Sequence, residues 1–190
     1  MFSFSNEVQE ALKNQGWSPD RKILIDEWVA RSKSVGMTIL PEAEKIWQNF
    51  GGLTIKTPDY AYTHVDATWN RITEFIPPFD DYDDQIMYYE ERIGIKITLL
   101  GITGDKRCRD EYFVGLAECG HILFLGLDSC FIDCAKSFEL AMEIGIVFAK
   151  GPYKFYNIEE DGRVRFLPNR DIREPGEFIQ WKDHKDVQVK

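Results

Sequence analysis

The run Pro41-Glu42-Ala43-Glu44-Lys45-Ile46-Trp47-Gln48-Asn49-Phe50-Gly51-Gly52-Leu53-Thr54-Ile55-Lys56 changes its character in the middle. Ala43, Ile46, Trp47 and Phe50 recur at three- and four-residue spacing, which puts them on one buried face of a helix. Pro41 suits the first helical turn, where a missing N–H costs nothing. Gly51-Gly52 then fits a left-handed C-cap followed by a close approach to a strand, two positions that tolerate a Cβ poorly. Leu53 to Lys56 reads as that strand. A helical stripe passing at once into a strand indicates helices packed on a sheet.

Working toward the N-terminus, Val8, Ala11 and Leu12 make one apolar helical face that stops at Gly16, and Ile23, Leu24, Trp28 and Val29 lead a second run up to Gly36. Working the other way, strands are predicted at Ile72 to Phe75, Ile95 to Leu99, Tyr112 to Ala117 and His121 to Leu125. The last two are joined by the short link Glu118-Cys119-Gly120. Gln85 to Ile93 reads as a short helix. Phe138, Ala141, Met142, Gly145 and Ala149 fall at helical spacing and predict an amphipathic helix covering one face of the sheet. Helices grouped around a mainly antiparallel sheet make the class α+β. Gly151-Pro152 marks a soft boundary, giving a domain over 1–151 and an extension over 152–190. Val164, Phe166, Phe178, Ile179 and Trp181 in that extension predict a late strand or two packed on the same core.

The 190 residues suit one domain, and 44% hydrophobic with 14% aromatic content supplies a real core. Lys and Arg total 23 against 32 Asp and Glu, a formal charge of -9. All of that imbalance lies in the first 150 residues, which carry 15 bases and 24 acids. Such a surface repels phosphate backbones and attracts cationic proteins, so nucleic acid is not an expected partner. No run approaches the roughly 20 apolar residues of a membrane span, and no secretory signal is visible, so a cytoplasmic protein without a membrane partner is expected. Four cysteines (Cys108, Cys119, Cys130, Cys134) are too few for a disulfide scaffold in a chain of this length.

Glu74 to Glu91 holds seven acids, Glu74, Asp80, Asp81, Asp83, Asp84, Glu90 and Glu91, with no Lys or Arg. Phe75, Phe79, Tyr82, Tyr88 and Tyr89 are interleaved with them. Pro77-Pro78 stiffens the approach and lowers the ordering cost of binding. These residues suit docking on a basic protein face, with Phe79, Tyr82, Tyr88 and Tyr89 as anchors and the carboxylates providing steering; a solvated face that keeps the chain soluble is the plainer alternative. A calcium loop is poorly matched: counted from Asp80, the sixth residue is Gln85 where a glycine is needed. Cys119, His121, Cys130 and Cys134 lack paired zinc-ligand spacing and read better as small apolar residues, so no metal or other cofactor is expected. There is no G-x-S-x-G turn, and His64, His121 and His184 lie near no recognisable nucleophile. Gly101-Ile102-Thr103-Gly104-Asp105-Lys106 departs from a phosphate loop and reads as a surface turn.

Gly16-Trp17, Arg21, Gly36 and Phe50-Gly51-Gly52-Leu53, followed by Gly94, Leu99 to Gly101 and the hairpin Phe113 to Leu125, come in an order that resembles the SUKH superfamily. The resemblance is greatest to its third family, of bacterial immunity proteins, and covers about residues 8–151. It implies a non-enzymatic α+β module that neutralises a cognate toxin by direct binding, the toxin being basic, for instance a nuclease whose phosphate substrate an acidic surface mimics. Gly16, Trp17, Arg21, Phe50, Gly51, Gly52 and Leu53 are then motif residues with a folding role. Arg21 could meet a carboxylate or stack on the Trp17 ring. Two other functions stay open: a cytoplasmic regulatory or scaffold module with no toxin partner, and a hydrolase built on the acidic cluster.

Overall fold

Ser5 starts the first helix by accepting a hydrogen bond from the Val8 N–H (3.3 Å) through its side chain. The computed structural model describes residues 2–61, 68–77, 85–105, 110–126, 129–147, 154–167 and 177–179. Helix α1 (Asn6–Lys13) buries Val8 and Leu12. Helix α2 (Asp26–Ser34) begins later than its apolar run, so Leu24 lies in the preceding link and is exposed, contrary to expectation. Helix α3 (Pro41–Phe50) has the predicted bounds, with Ala43, Ile46, Trp47 and Phe50 all buried.

The sheet is a single antiparallel meander in which each strand pairs with its sequence neighbours. Its strands are β1 (Thr54–Ala61), β2 (Thr68–Glu74), β3 (Ile97–Asp105), β4 (Asp110–Ala117), β5 (Ile122–Leu125), β6 (Cys130–Ala135), β7 (Lys154–Ile158), β8 (Val164–Leu167) and β9 (Glu177–Ile179). The class is α+β, as the sequence implies. Helix α4 (Gln85–Ile93) has the predicted bounds and lies between β2 and β3 in the chain. β3 corrects one expectation: Gly101 to Asp105 is strand, not a surface turn. Gly101 sits at a register shift against β4, where a Cβ would run into the Glu74 carbonyl.

The predicted late helix is shorter and wider than an ordinary α-helix. Helix α5 (Phe138–Ala141) passes into a π-helical turn over Met142–Ile146. That turn is tied down at two points. Thr57 donates its hydroxyl to the Ile146 carbonyl, and Glu143 accepts from both the N–H (2.7 Å) and the hydroxyl (2.9 Å) of Ser5 at the start of α1. The extension carries three strands, and β7 joins the sheet beside β6.

Candidate functional site

The motif residues converge on one aromatic cluster. Phe50, at the end of α3, is fully buried and packs against Phe2, Phe4, Trp17, Phe75 and Phe138 with ring centroids 4.9 to 5.9 Å apart. Trp17 stacks on Phe50 at an interplanar angle of 10°. Arg21 meets neither a carboxylate nor that ring. Its guanidinium donates to the backbone carbonyls of Asn49 (3.0 Å) and Gly51 (2.7 Å), satisfying acceptors that the end of α3 leaves open. The glycine pair has the two predicted roles in the opposite order. Gly51 is the close approach, since a Cβ there would strike the Trp47 carbonyl and the Trp28 ring, and Gly52 is the left-handed residue at φ +73°. Gly52 N–H donates to the Phe75 carbonyl (2.9 Å) and Phe75 N–H to the Leu53 carbonyl (3.0 Å), which joins the helix end to the sheet. These bonds build the fold.

The other candidate surface lies on α4. Of the acidic stretch, Phe79, Asp80, Asp81, Tyr82, Asp83 and Asp84 lie outside the described residues, while Glu74 ends β2 half-buried. Tyr89 corrects an expectation. It is fully buried, with its hydroxyl within hydrogen-bond distance of the carbonyls of Gly126 (2.7 Å) and Cys130 (2.8 Å), so it anchors α4 to the sheet and is not offered to a partner. The cause is position: Ile86, Tyr89 and Ile93 fall at three- and four-residue spacing and form the inner stripe of the helix. Tyr88 is half-buried, its hydroxyl 3.2 Å from Ser129 Oγ and its ring 5.7 Å from the Arg92 guanidinium carbon. Glu90 accepts from Ile97 N–H (2.9 Å) and from Lys96 Nζ (2.7 Å), and the bond holds the Lys96 ammonium above its ordinary pKa. Glu91 points into solvent.

Beside this helix runs an open groove of about 690 Å³, lined by Met87, Tyr88, Glu90 and Glu91 of the helix and by Ile95, Lys96 and Glu118. Sequence reading missed Met87, Ile95 and Glu118. Glu118 comes from the link between β4 and β5 and reaches this place because its N–H donates to the Lys96 carbonyl (2.9 Å). Nothing local in the sequence reports such a long-range contact.

The cysteine and histidine residues have separate surroundings. Cys119 is exposed, Cys130 Sγ lies 3.3 Å from Asn157 Oδ1, and Cys134 is buried. Burial pushes the Cys134 thiol up to about 12, which leaves it protonated and a poor nucleophile at neutral pH. His121 Nδ1 lies 3.1 Å from Asp133 Oδ1. Among the described residues no three His, Cys, Asp or Glu side chains stand together as a metal site, and no helix is long and apolar enough to cross a membrane. Cys108, His64 and His184 lie outside the described residues.

Comparison with known proteins agrees with the motif reading. A search of curated proteins gave no match, and neither did a search of solved structures. The family model described as SUKH-3 immunity protein matches residues 4–131. The match takes in α1 to α4, β1 to β5 and the first residues of β6. It stops short of the 151 suggested by the sequence resemblance, so α5 and the last three strands lie outside it. With Phe4, Trp17, Phe50 and Phe75 of the aromatic cluster, the Gly51-Gly52 junction and the hairpin of β4 and β5 inside a match that spans most of its length, the chain belongs to the SUKH-3 immunity protein family.

Proposed function

We propose that this chain protects a cell by binding a cognate protein toxin directly, occluding the toxin's working surface and transforming no substrate itself. Membership of an immunity-protein family is the observation that carries this reading. Electrostatics support a basic partner. The first 150 residues hold the whole charge of -9, and a nuclease that binds phosphates presents the opposite sign. On this reading Glu74, Phe79, Asp80, Asp81, Tyr82, Asp83, Asp84, Tyr88, Glu90 and Glu91 belong to or border the contact surface, acids contributing steering and aromatics contributing buried area. The protein acts in the cytoplasm, where its toxin would otherwise do damage, and needs neither cofactor nor nucleic acid.

Co-expression tests the proposal. Cells producing the toxin domain encoded beside this chain's gene are expected to grow when the chain is present and to die without it; death in both cases rejects the reading. Replacing Asp80, Asp81, Asp83 and Asp84 together with asparagine is expected to weaken toxin binding at low salt, and unchanged affinity removes the acidic stretch from the interface.

A further inference from the structure

Helix α4 is held by its buried stripe, by Glu90 and beside the Gly162 turn, which makes its exposed flank a prepared surface. Ile86, Tyr89 and Ile93 form its buried stripe, with the Tyr89 hydroxyl within hydrogen-bond distance of the Gly126 and Cys130 carbonyls. Glu90 is held by Ile97 N–H and Lys96. Arg92 lies over the Gly162 turn between β7 and β8 so closely that a Cβ at Gly162 would meet the guanidinium. A surface built on a helix so restrained loses little conformational entropy when something settles on it.

The groove side combines apolar area with an excess of negative charge. Met87 is 61% exposed, one of four large hydrophobic side chains left in solvent among the described residues. It lines the groove together with Tyr88 and Ile95. Three carboxylates, Glu90, Glu91 and Glu118, share the groove with one ammonium, Lys96. Glu90 holds Lys96 at 2.7 Å and Glu118 lies close enough to act on the same ammonium, so three carboxylates against one ammonium leave the lining with a net negative charge. Gly94 closes the helix at φ +77° and contributes no side chain to the wall. A volume of about 690 Å³ accommodates several side chains, in the range of sites that hold small ligands and peptide anchors.

We infer that this groove is where the toxin seats a basic, partly apolar segment: an aliphatic side chain against Met87, Tyr88 and Ile95, with a guanidinium or ammonium between Glu91 and Glu118. Charge selects that occupant. An anionic membrane is repelled by the excess of carboxylates, and a second copy of this chain brings net negative charge to a negative groove. Methionine suits the apolar part because its flexible thioether adapts to the shape of an incoming side chain.

The inference rests on the toxin-binding reading, and one set of titrations separates the two. The full chain is titrated with the toxin domain encoded beside its gene, as wild type, as Met87→Glu, as the double variant Glu91→Lys/Glu118→Lys, and as the control Glu10→Lys/Glu27→Lys. The control makes the same change in net charge at exposed positions on α1 and α2. The double groove variant is expected to raise Kd about 100-fold and Met87→Glu about tenfold, against less than about threefold for the control. Equal, small effects for groove and control variants overturn the groove and leave the toxin reading intact. Failure of wild type to bind rejects the toxin reading itself. A wild-type dimer that Met87→Glu turns into a monomer, with toxin affinity unchanged, gives the groove to a second copy and also overturns the inference.

Discussion

The Phe50 cluster and the outer flank of α4 both use large apolar side chains, yet they serve opposite ends. Phe50 is wholly buried and Trp17 is 6% exposed, each ring facing other rings, whereas Met87 stands 61% exposed among carboxylates. The first region carries the family's recognisable motif and holds the helices to the sheet. The second has no motif, only a restrained helix with an exposed wall. What is easiest to recognise in this sequence is therefore what folds it, and the surface proposed to meet a partner is found from exposure and charge.

Substitutions sharpen that contrast, beginning with the largest effect. Phe50→Ala removes a ring that touches five others and is expected to cost about 3–5 kcal/mol of stability in urea unfolding. Gly51→Ala forces a methyl into the Trp47 carbonyl and the Trp28 ring, and a loss of about 1–3 kcal/mol is expected in the same assay. Arg21→Met keeps the stem but frees the Asn49 and Gly51 carbonyls, with about 1–2 kcal/mol lost, since the side chain is only partly buried. Met87→Ser, on the other region, is expected to move stability by less than about 0.5 kcal/mol while weakening toxin binding. A Phe50→Ala protein that stays folded yet cannot bind toxin would erase the distinction between the two regions.

Thiol chemistry gives a further check on the buried half. The Cys134 thiol, ordinarily near 9.0, is pushed up to about 12 by burial, so its folded form keeps a proton that the unfolded chain releases. Its contribution to stability is complete below pH 9 and is lost as pH rises toward 12. Tyr156, raised by burial as well, adds a loss of the same sign. Stability is expected to fall over that window, less steeply in Cys134→Ala. Alkylation followed by mass spectrometry is expected to label exposed Cys119 in the native protein and Cys134 only on unfolding.

Much of the fold was legible because the elements that bury one stripe announce it. Pro41–Phe50 and Gln85–Ile93 have helical period and sharp ends, and both occur as read. Strand β6 escaped because it lies between β5 and β7 with Phe131 to Ala135 all buried, so Cys130–Ala135 shows no polar alternation. The apolar pattern that puts Leu24 in a helix is overridden by tertiary structure: the Ile23 N–H donates to the Gln48 carbonyl, and the helix starts only at Asp26. The acidic character of the α4 side was readable from composition. Which of its residues face outward was not, because Tyr88 and Tyr89 look alike until the helix is docked, and Glu118 joins Glu91 only across a hairpin.

Ionic strength tests the central claim most directly. Titration of the purified chain with its neighbouring toxin domain at 50 mM and again at 500 mM salt should show tight one-to-one binding that weakens by at least about tenfold at the higher salt, because the proposed contact pairs exposed charges that salt screens. Binding of equal strength at both salt concentrations, or none at either, contradicts the account.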